Sequence, residues 1–399
     1  MTRVKKLLLV IACLVLLAQI PFAYRRYKLS RLAATIRNIN AERRTGEGKD
    51  GYVEYRGVMH VHSFLGGHSE GTFQEIIKAA HENELQFVVM TEHVESFIDT
   101  SAMTLKGMYG GVLFVNGNEA ESADGNRLLI IPGDASMQTA DKLTAAQITA
   151  NGRSRGALSF LAYAYERSNE QNHYDGIEVY NVFTNAKKIN RFIAFFDALW
   201  SQRTYPALLF ANYYHRPDEE ISGWDERLKQ GRLVAIAGND SHANIGLTVN
   251  DSSGKKVLGF KLDPYEVSFH LVRVHVLIPA GKSLDSANLL QALKAGHSFI
   301  GFDLFGDTSG FRFESINPAG IQGDEVAFQK DLRLRINLPV AGRIVVFKDG
   351  VVLLDEAGIS TKEFSVGAKG VYRVEAYLPQ LGKPTGDKPW IISNPIYVK

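Results

Sequence analysis

The chain has 399 residues, of which 45% are hydrophobic and 22% are charged, a composition typical of a globular protein large enough for two domains. Its formal charge of +2 is unevenly distributed: residues 1–31 carry seven Lys/Arg and no Asp/Glu, so the remainder carries −5. A mildly acidic body without interleaved basic and aromatic residues argues against nucleic-acid binding. The single cysteine, Cys13, excludes a disulfide framework within the chain.

The N-terminal segment is typical of a targeting or membrane sequence. Leu7–Tyr24 is an 18-residue apolar run, interrupted by Gln19 and Pro21, with basic residues on both sides. Roughly 20 apolar residues span a bilayer, so the run is just long enough. We favour an uncleaved signal anchor with a transmembrane helix. Two alternatives stay open: a signal peptide cleaved near Ala23, and a lipoprotein cleavage box at Val10–Cys13.

Strand-like and helix-like stretches alternate from residue 51 to 303, a pattern that indicates a parallel α/β barrel or sheet. The predicted elements are strand Val53–His60, helix Thr72–Glu84, strands Phe87–Thr91, Val112–Val115, Ala157–Ala162 and Gly176–Tyr180, helix Asn185–Gln202, and strand Leu233–Ala237. Alternating strands separated by glycine-containing turns then predict a small antiparallel β-sandwich. The predicted organisation is a membrane segment at 1–30, a charged stalk at 31–50, an α/β domain at 51–303 and a β-sandwich domain at 304–399.

Side chains that bind metals follow several of the predicted strands. They are His60, His62, His68, His93, Glu119, Asp240 and His242. In a β/α barrel the carboxyl ends of the strands meet at one mouth, so residues far apart in sequence can converge there. Imidazole and carboxylate groups are the usual ligands of zinc-type ions. Each residue alone fits a cap or a solvated loop, but the set in this arrangement predicts a metal cluster.

Four short motifs carry a resemblance to a known family. They are His60-Val61-His62-Ser63, Thr91-Glu92-His93, Gly117-Asn118-Glu119 and Gly238-Asn239-Asp240-Ser241-His242. Over about residues 55–302 the chain resembles the PHP (polymerase and histidinol phosphatase) superfamily. The resemblance implies a distorted (β/α)7 PHP barrel that binds two or three divalent metals and hydrolyses phosphate esters.

The resemblance also implies a ligand set. One ion would take His60, His62, Glu119 and Asp240, and a second would take His68, His93 and His242, with Glu70 as the substitute for His68. Tyr163 stands where a histidine would hold a third ion, so we predict two ions, which are zinc, manganese or iron. Asp240, His242 and Tyr163 are the expected catalytic residues.

The sequence therefore predicts a membrane-anchored, metal-dependent hydrolase with its catalytic domain outside the cytoplasm. Of the possible activities, we favour a phosphoesterase. The expected substrate is a small-molecule or lipid/envelope phosphoester, and no nucleic-acid partner is expected. A dinuclear centre activates water and neutralises phosphoryl charge. Hydrolysis of a carboxyl ester, carbamate or amide is the alternative reaction, and a degenerate, non-catalytic binding module is the alternative class. The leaving group could take its proton from Tyr163, His173 or His215, and the candidate phosphate clamps are Arg153, Arg155 and Arg216.

Overall fold

The computed structural model describes residues 2–44, 51–163, 174–187, 190–244, 246–250 and 256–399. Its α-helices are α1 Arg3–Glu42, α2 Phe73–Glu82, α3 Thr100–Met103, α4 Ala145–Ser154, α5 Val182–Lys187, α6 Arg191–Ser201, α7 Asp218–Leu228, α8 Tyr265–Ser268 and α9 Ser286–Ala295. Its strands up to residue 301 are β1 Tyr52–Val61, β2 Phe87–Met90, β3 Glu92–His93, β4 Gly107–Tyr109, β5 Val112–Val115, β6 Asn118–Glu121, β7 Arg127–Ile131, β8 Leu158–Ala162, β9 Gly176–Asn181, β10 Val234–Gly238, β11 Gly246–Asn250, β12 Lys256–Lys261, β13 Arg273–Pro279 and β14 Ser298–Gly301. The later strands are β15 Arg312–Ile316, β16 Ala319–Ile321, β17 Glu325–Val326, β18 Arg333–Lys348, β19 Val351–Ser365, β20 Gly370–Tyr377, β21 Pro389–Ser393 and β22 Ile396–Val398.

Two large mixed sheets form the body, which is an α/β fold as the sequence predicted. One sheet runs β14-β13-β1-β2-β5-β4 in its N-terminal part, and the other runs β10-β9-β8-β7-β6-β3. The pairs β1–β2, β2–β5, β8–β9 and β9–β10 are parallel. The strands β2, β5, β8, β9 and β10 are buried along their whole length. Burial on both faces accounts for the continuous apolar sequences of β2, β5 and β10.

Most of the predicted elements are present, but one helix differs. Helix α2 begins with the predicted capping box, in which Thr72 and Glu75 each bond the other's backbone N–H. The helix predicted as Asn185–Gln202 is instead divided into α5 and α6. The division has a local cause, because the Asn190 side chain accepts bonds from the backbone N–H groups of Phe192 and Ile193 and so caps a new helix.

The strands after residue 303 continue the first sheet. Strand β21 pairs antiparallel with β14, and β20 pairs with β21 and with β18. Strands β18 and β19 form the long hairpin predicted around Lys348-Asp349-Gly350. The C-terminal strands are therefore mainly antiparallel, and their hydrogen bonding extends into the α/β part.

Helix α1 is longer than the predicted membrane segment and includes part of the predicted stalk. Its apolar first half is long enough to cross a membrane, as either an anchor or a signal sequence would be. Its second half packs on the body, where Leu29, Ala33 and Ile39 are buried. Oδ1 of Asn40 accepts a 2.9 Å bond from the backbone N–H of Asp307. Residues 31–42 therefore form a docked helix where the sequence predicted a stalk.

Candidate metal centre

The centre lies where the carboxyl ends of β1, β3, β6 and β10 meet. The backbone N–H of Asn239, after β10, donates a 2.9 Å bond to the carbonyl of Met59 in β1. The N–H of Thr91 donates a 2.8 Å bond to the carbonyl of Val61. In the parallel pair β3–β6, His93 lies directly opposite Glu119. These contacts bring together side chains that are separated by up to 180 residues in sequence.

Four buried ligand atoms form the first group of the centre. Nε2 of His60 lies 3.3 Å from Oε2 of Glu119 and 3.6 Å from Oδ1 of Asp240. Nε2 of His62 lies 3.3 Å and 3.5 Å from the same two oxygens. Metal bonds of about 2.0–2.2 Å in a tetrahedron place neighbouring ligand atoms about 3.3–3.6 Å apart. The observed separations match the edges of such a site.

A second group consists of His62, His93 and His242, whose ligand atoms lie within 4.8 Å of one another. Nε2 of His93 is 3.3 Å from Nε2 of His242, and Nδ1 of His93 is 3.3 Å from Oε2 of Glu119. Oε2 of Glu119 therefore lies next to both groups and can bridge two ions. His68 is exposed, and its ring centroid lies 5.0 Å from that of His93. Neither group includes His68 or Glu70 among the residues that the structure describes.

The remaining polar atoms of the ligands are held by neighbouring side chains. Oδ2 of Asp240 accepts a 2.7 Å bond from the Tyr163 hydroxyl and a 3.2 Å bond from Asn181. Nδ1 of His60 donates to Glu178 at 2.7 Å, which directs the Nε2 lone pair toward the cluster. Gly238 makes room for this contact, because a Cβ there would lie 1.7 Å from Oε1 of Glu178. His60 and Asp240 are thus each fixed through one polar atom while the other faces the centre.

Arg127 is a site residue that sequence reasoning missed. It begins β7, which pairs antiparallel with β6, and its guanidinium lies 3.3 Å from Oε1 of Glu119 and 3.1 Å from Glu121. Its side chain is 41% exposed, so it is also accessible from the cavity. No local motif distinguishes Arg127, because its position depends on the register between β6 and β7. Glu178 and Asn181 also contact the ligands, through His60 and Asp240 respectively.

Three residues of the centre have left-handed backbone conformations. The φ angles are +63° for His60, +51° for Tyr163 and +48° for Asp240. This region is uncommon for residues other than glycine and costs of order 1–3 kcal/mol where packing enforces it. At His60 the distortion coincides with the shift in register between β1 and β2. Backbone strain is therefore concentrated at residues whose side chains face the cluster.

Electrostatics favour the charge states that metal binding requires at His62, His93 and Glu119, but not at His60. Burial lowers the pKa of His62 to about 3 and that of His93 to about 4, so both imidazoles are neutral at pH 7. Burial opposes ionisation of Glu119, but the nearby His60 outweighs it and lowers the pKa of Glu119 to about 2. His60 itself is buried, yet Glu178, Asp240 and Glu119 raise its pKa well above its usual value. His60 must therefore release a proton before its Nε2 can bind a cation.

The donor set fits a divalent cation. Nε2 of His62 and Oδ1 of Asp240 lie 3.5 Å apart, and both are buried without a hydrogen-bond partner among the residues that the structure describes. Unpaired buried polar atoms are costly, and an ion between these two atoms would satisfy both. Neutral imidazoles with ionised carboxylates are typical ligands of zinc, manganese and iron.

A cavity of about 390 Å³ opens beside the second group. His68, His93, Arg127, Tyr163 and His242 contribute to its lining. This volume falls within the range of small-molecule sites. The cavity therefore gives a ligand access both to the metal-binding residues His93, Asp240 and His242 and to the cation Arg127.

The other residues considered from the sequence lie elsewhere or are already paired. Arg153 pairs with Asp175, Arg155 with Asp134, and Arg216 with Glu375 and Asp218. The backbone N–H of His215 donates to Asn185. His173 lies outside the described residues. Arg127, rather than the three candidate arginines, is the guanidinium that lines the cavity.

Comparisons with known proteins give structural matches only. No family model matches the chain, and no curated protein matches it. Among solved structures, PsfC from Pseudomonas syringae matches with a TM-score of 0.39 and 13% identity, over 62% of this chain and 91% of its own. The lesion-specific endonuclease EndoQ from Pyrococcus furiosus matches with a TM-score of 0.35 and 12% identity, over 61% of this chain and 56% of its own. A protein described as a candidate metal-dependent phosphoesterase from Bifidobacterium adolescentis matches with a TM-score of 0.29 and 10% identity, over 47% of this chain and 87% of its own. These scores and identities are too low to carry an argument about function.

Proposed function

We propose that the chain is a metal-dependent phosphoesterase with a dinuclear centre in a distorted (β/α)7 barrel spanning residues 51–303. The observation that carries this proposal is the group His60, His62, Glu119 and Asp240. Its four ligand atoms are buried and lie 3.3–3.6 Å apart across the nitrogen–oxygen pairs. His60 and Asp240 are held in place through their other polar atoms.

Two ions would be held by two sets of side chains. The first ion would bind to His60, His62, Glu119 and Asp240. The second would bind to His93 and His242, together with His62 or His68. When bound, divalent ions supply an activated water and neutralise charge on the phosphoryl oxygens. Arg127 contributes a guanidinium to the cavity lining, where it can bind a phosphoryl oxygen.

Asp240, His242 and Tyr163 are the proposed catalytic residues. Asp240 and His242 face the cavity next to the reacting phosphoryl group. Burial and the nearby carboxylates raise the pKa of Tyr163 far above its ordinary value, so its hydroxyl stays protonated. Tyr163 is therefore a hydrogen-bond donor, which orients Asp240 and is also within the cavity that receives the substrate.

Ester, carbamate or amide hydrolysis is the second candidate, because the same centre can direct water at a carbonyl carbon. Arg127 favours the phosphoesterase, since a cation in the cavity attracts a charged phosphoryl group more strongly than a neutral ester. The third candidate, a binding module without turnover, is supported by Tyr163 at the position of the third-ion histidine. In this proposal the protein is anchored in a membrane through α1, and its catalytic part lies outside the cytoplasm.

The test uses the full-length protein in detergent, stripped with a chelator and resupplied separately with zinc, manganese or iron(II). Bound metal is measured by mass spectrometry, and phosphate release from p-nitrophenyl phosphate is compared with cleavage of p-nitrophenyl acetate. The expected result is two ions per chain and phosphate release that depends on them. Cleavage of the acetate alone would support the second candidate, and ion binding without turnover of either would support the third. A chain that binds no ion would overturn both hydrolase candidates.

A further inference from the structure

Helix α6 exposes an apolar face. Phe192, Phe195 and Leu199 recur at helical spacing and are 68%, 36% and 59% exposed, and Trp200 beside them is 37% exposed. A surface helix in water normally carries polar side chains on its outer face. Large side chains grouped in this way indicate a surface that contacts an apolar phase.

The apolar segment of α1 lies directly against this helix. The ring of Phe22 stacks on that of Phe196 at 5.0 Å. Nε1 of Trp200 donates a 2.9 Å bond to the side chain of Gln19. Both α1 residues belong to the run Leu7–Tyr24, whose earlier part is exposed along its length. Helix α6 is therefore continuous with the apolar surface of α1.

The contacts also fix the height of α6 along α1. Arg25 pairs with the buried Asp197 at 2.6 Å, and Arg26 bonds the carbonyl of Trp200. Arginine and tyrosine are typical of the headgroup level, and Tyr24 and Tyr27 are exposed beside Arg25. The Trp200 side chain contacts Gln19, which precedes Arg25 by six residues. Six helical residues rise about 9 Å, so this contact lies about 9 Å from Arg25 along the α1 axis, toward the hydrocarbon. Interfacial helices bury their apolar face by about 5–10 Å, which agrees with this depth.

The site is connected to α6 through α5. Phe183 of α5 is 37% exposed and lines the 390 Å³ cavity, with its ring centroid 6.4 Å from that of His242. Nine residues separate Phe183 from Phe192, so even an extended chain would keep them within about 30 Å. Phe210 also lines a pocket with Phe183 and His242 and packs against the cluster that contains Ala198 of α6. The mouth of the metal site therefore lies near the helix that faces the apolar phase.

We propose that α1 is retained, that α6 lies in the membrane interface beside it, and that the metal centre acts on the phosphoester headgroup of a membrane amphiphile. The location of α6 stands on its own contacts, whereas the substrate class rests on the proposed function. The arrangement explains why an apolar helix face, an apolar span and a cavity containing an arginine occur on neighbouring elements.

The location of α6 is tested by tryptophan fluorescence of the full-length protein in phosphatidylcholine nanodiscs. The chain has three tryptophans, and Trp224 and Trp390 are 0% and 1% exposed, so Trp200 is the one accessible to lipid. We expect brominated phosphatidylcholine to quench the Trp200 emission and aqueous acrylamide to quench it weakly. Trp200→Phe should remove the lipid-dependent quenching. Equal emission in brominated and plain lipid, or a mature chain that begins after Ala23, would overturn the proposal.

The substrate class is tested with Leu199→Glu, compared with Leu353→Glu on the β18–β19 hairpin, where Leu353 is 51% exposed. The probes are phosphatidic acid in phosphatidylcholine vesicles and soluble p-nitrophenyl phosphate. Leu199→Glu should lower kcat/KM on the vesicle-borne ester by about tenfold, the equivalent of losing one buried apolar side chain, and leave the soluble ester unchanged. Leu353→Glu should change neither. Equal loss on both esters, or no loss on vesicles, would overturn the substrate class, while absence of all phosphate release would instead reject the proposed function.

Discussion

The hydroxyl of Tyr163 donates a 2.7 Å hydrogen bond to Oδ2 of Asp240 and leaves Oδ1 of Asp240 directed at His60 and His62. Asn181 donates to the same Oδ2. Both donors therefore act on the oxygen that faces away from the cluster, and this fixes the rotation of the carboxylate. Hydrogen bonds of this kind commonly change metal affinity by 10- to 100-fold.

Tyr163→Phe should weaken metal binding by about tenfold and lower kcat to a similar extent, because Asp240 loses the donor that orients it. The measurement is the dissociation constant for zinc or manganese by competition with a chelating dye, together with kcat on a phosphate ester. Tyr109→Phe, on the exposed edge strand β4, is the control and should change neither. Wild-type metal affinity in Tyr163→Phe would show that the hydrogen bond does not orient the ligand.

Tyr163→His should raise the number of bound ions from two to three, because the resemblance places a third-ion histidine at this position. The left-handed φ of +51° is compatible with histidine, which is enriched in that region. Metal content per chain by mass spectrometry is the measurement. If the content remains at two, the third position lacks more than this one ligand.

The ligands could be predicted from the sequence because each belongs to a short motif at the end of an apolar strand. A metal-binding side chain at the end of a predicted strand indicates a ligand, and His60, His93 and Asp240 all meet both conditions. The contacts that orient them could not be predicted in the same way. Glu178 reaches His60 across 118 residues, and Arg127 reaches Glu119 only through the pairing of two strands.

Helix α1 illustrates a different limit. An apolar run followed by a charged segment is typical of a transmembrane helix followed by a stalk, and this is what the sequence predicts. The docking of the charged segment depends on partners far along the chain, such as Asp197 and Asp307. A one-dimensional pattern contains no information about these partners. The division between α5 and α6 is hidden for a more local reason. Apolar residues recur at helical spacing on α6, and this spacing does not show that Asn190 caps a new helix.

Glu119→Gln should abolish binding of at least one ion and reduce phosphate release by about a thousandfold, because Oε2 of Glu119 adjoins both ligand groups. Glu121→Gln is a matched control on the same strand, two residues further along and also in contact with Arg127. It should retain metal content and activity within about twofold, since exposed ion pairs contribute little. Similar losses in both variants would show that the charge around Arg127, and not ligation, is the important property.

Arg127→Met should raise KM for phosphate monoesters by about tenfold or more with a smaller effect on kcat, because a cation that binds the phosphoryl group is removed. Metal content should be unchanged, as Arg127 contacts the outer oxygen of Glu119. Arg127→Lys should restore part of the loss, since it keeps the charge without the planar fork. A fall in metal content in Arg127→Met would instead assign the residue to positioning Glu119.

His275 should make the stability of the protein fall on the alkaline side of neutrality. It is fully buried, with Nδ1 2.8 Å from Glu54 and Nε2 3.4 Å from Asp303. Burial alone would lower the pKa of His275, but Asp303 and Glu54 outweigh it and raise the pKa to about 9. Because the pKa is raised on folding, the stabilisation is complete below the unfolded value of about 6.5 and is lost as pH rises through 9.

Raising the pKa of His275 from about 6.5 to about 9 contributes on the order of 3 kcal/mol to the free energy of unfolding. The Tm of the full-length protein in detergent should therefore fall between pH 6.5 and 9, and His275→Gln should have a flatter profile over the same window. His297→Gln is the control, because His297 contacts the exposed side of Asp324 at 2.8 Å and is not enclosed by two carboxylates. A Tm that falls equally with pH in wild type and His275→Gln would contradict a protonated imidazole between Glu54 and Asp303.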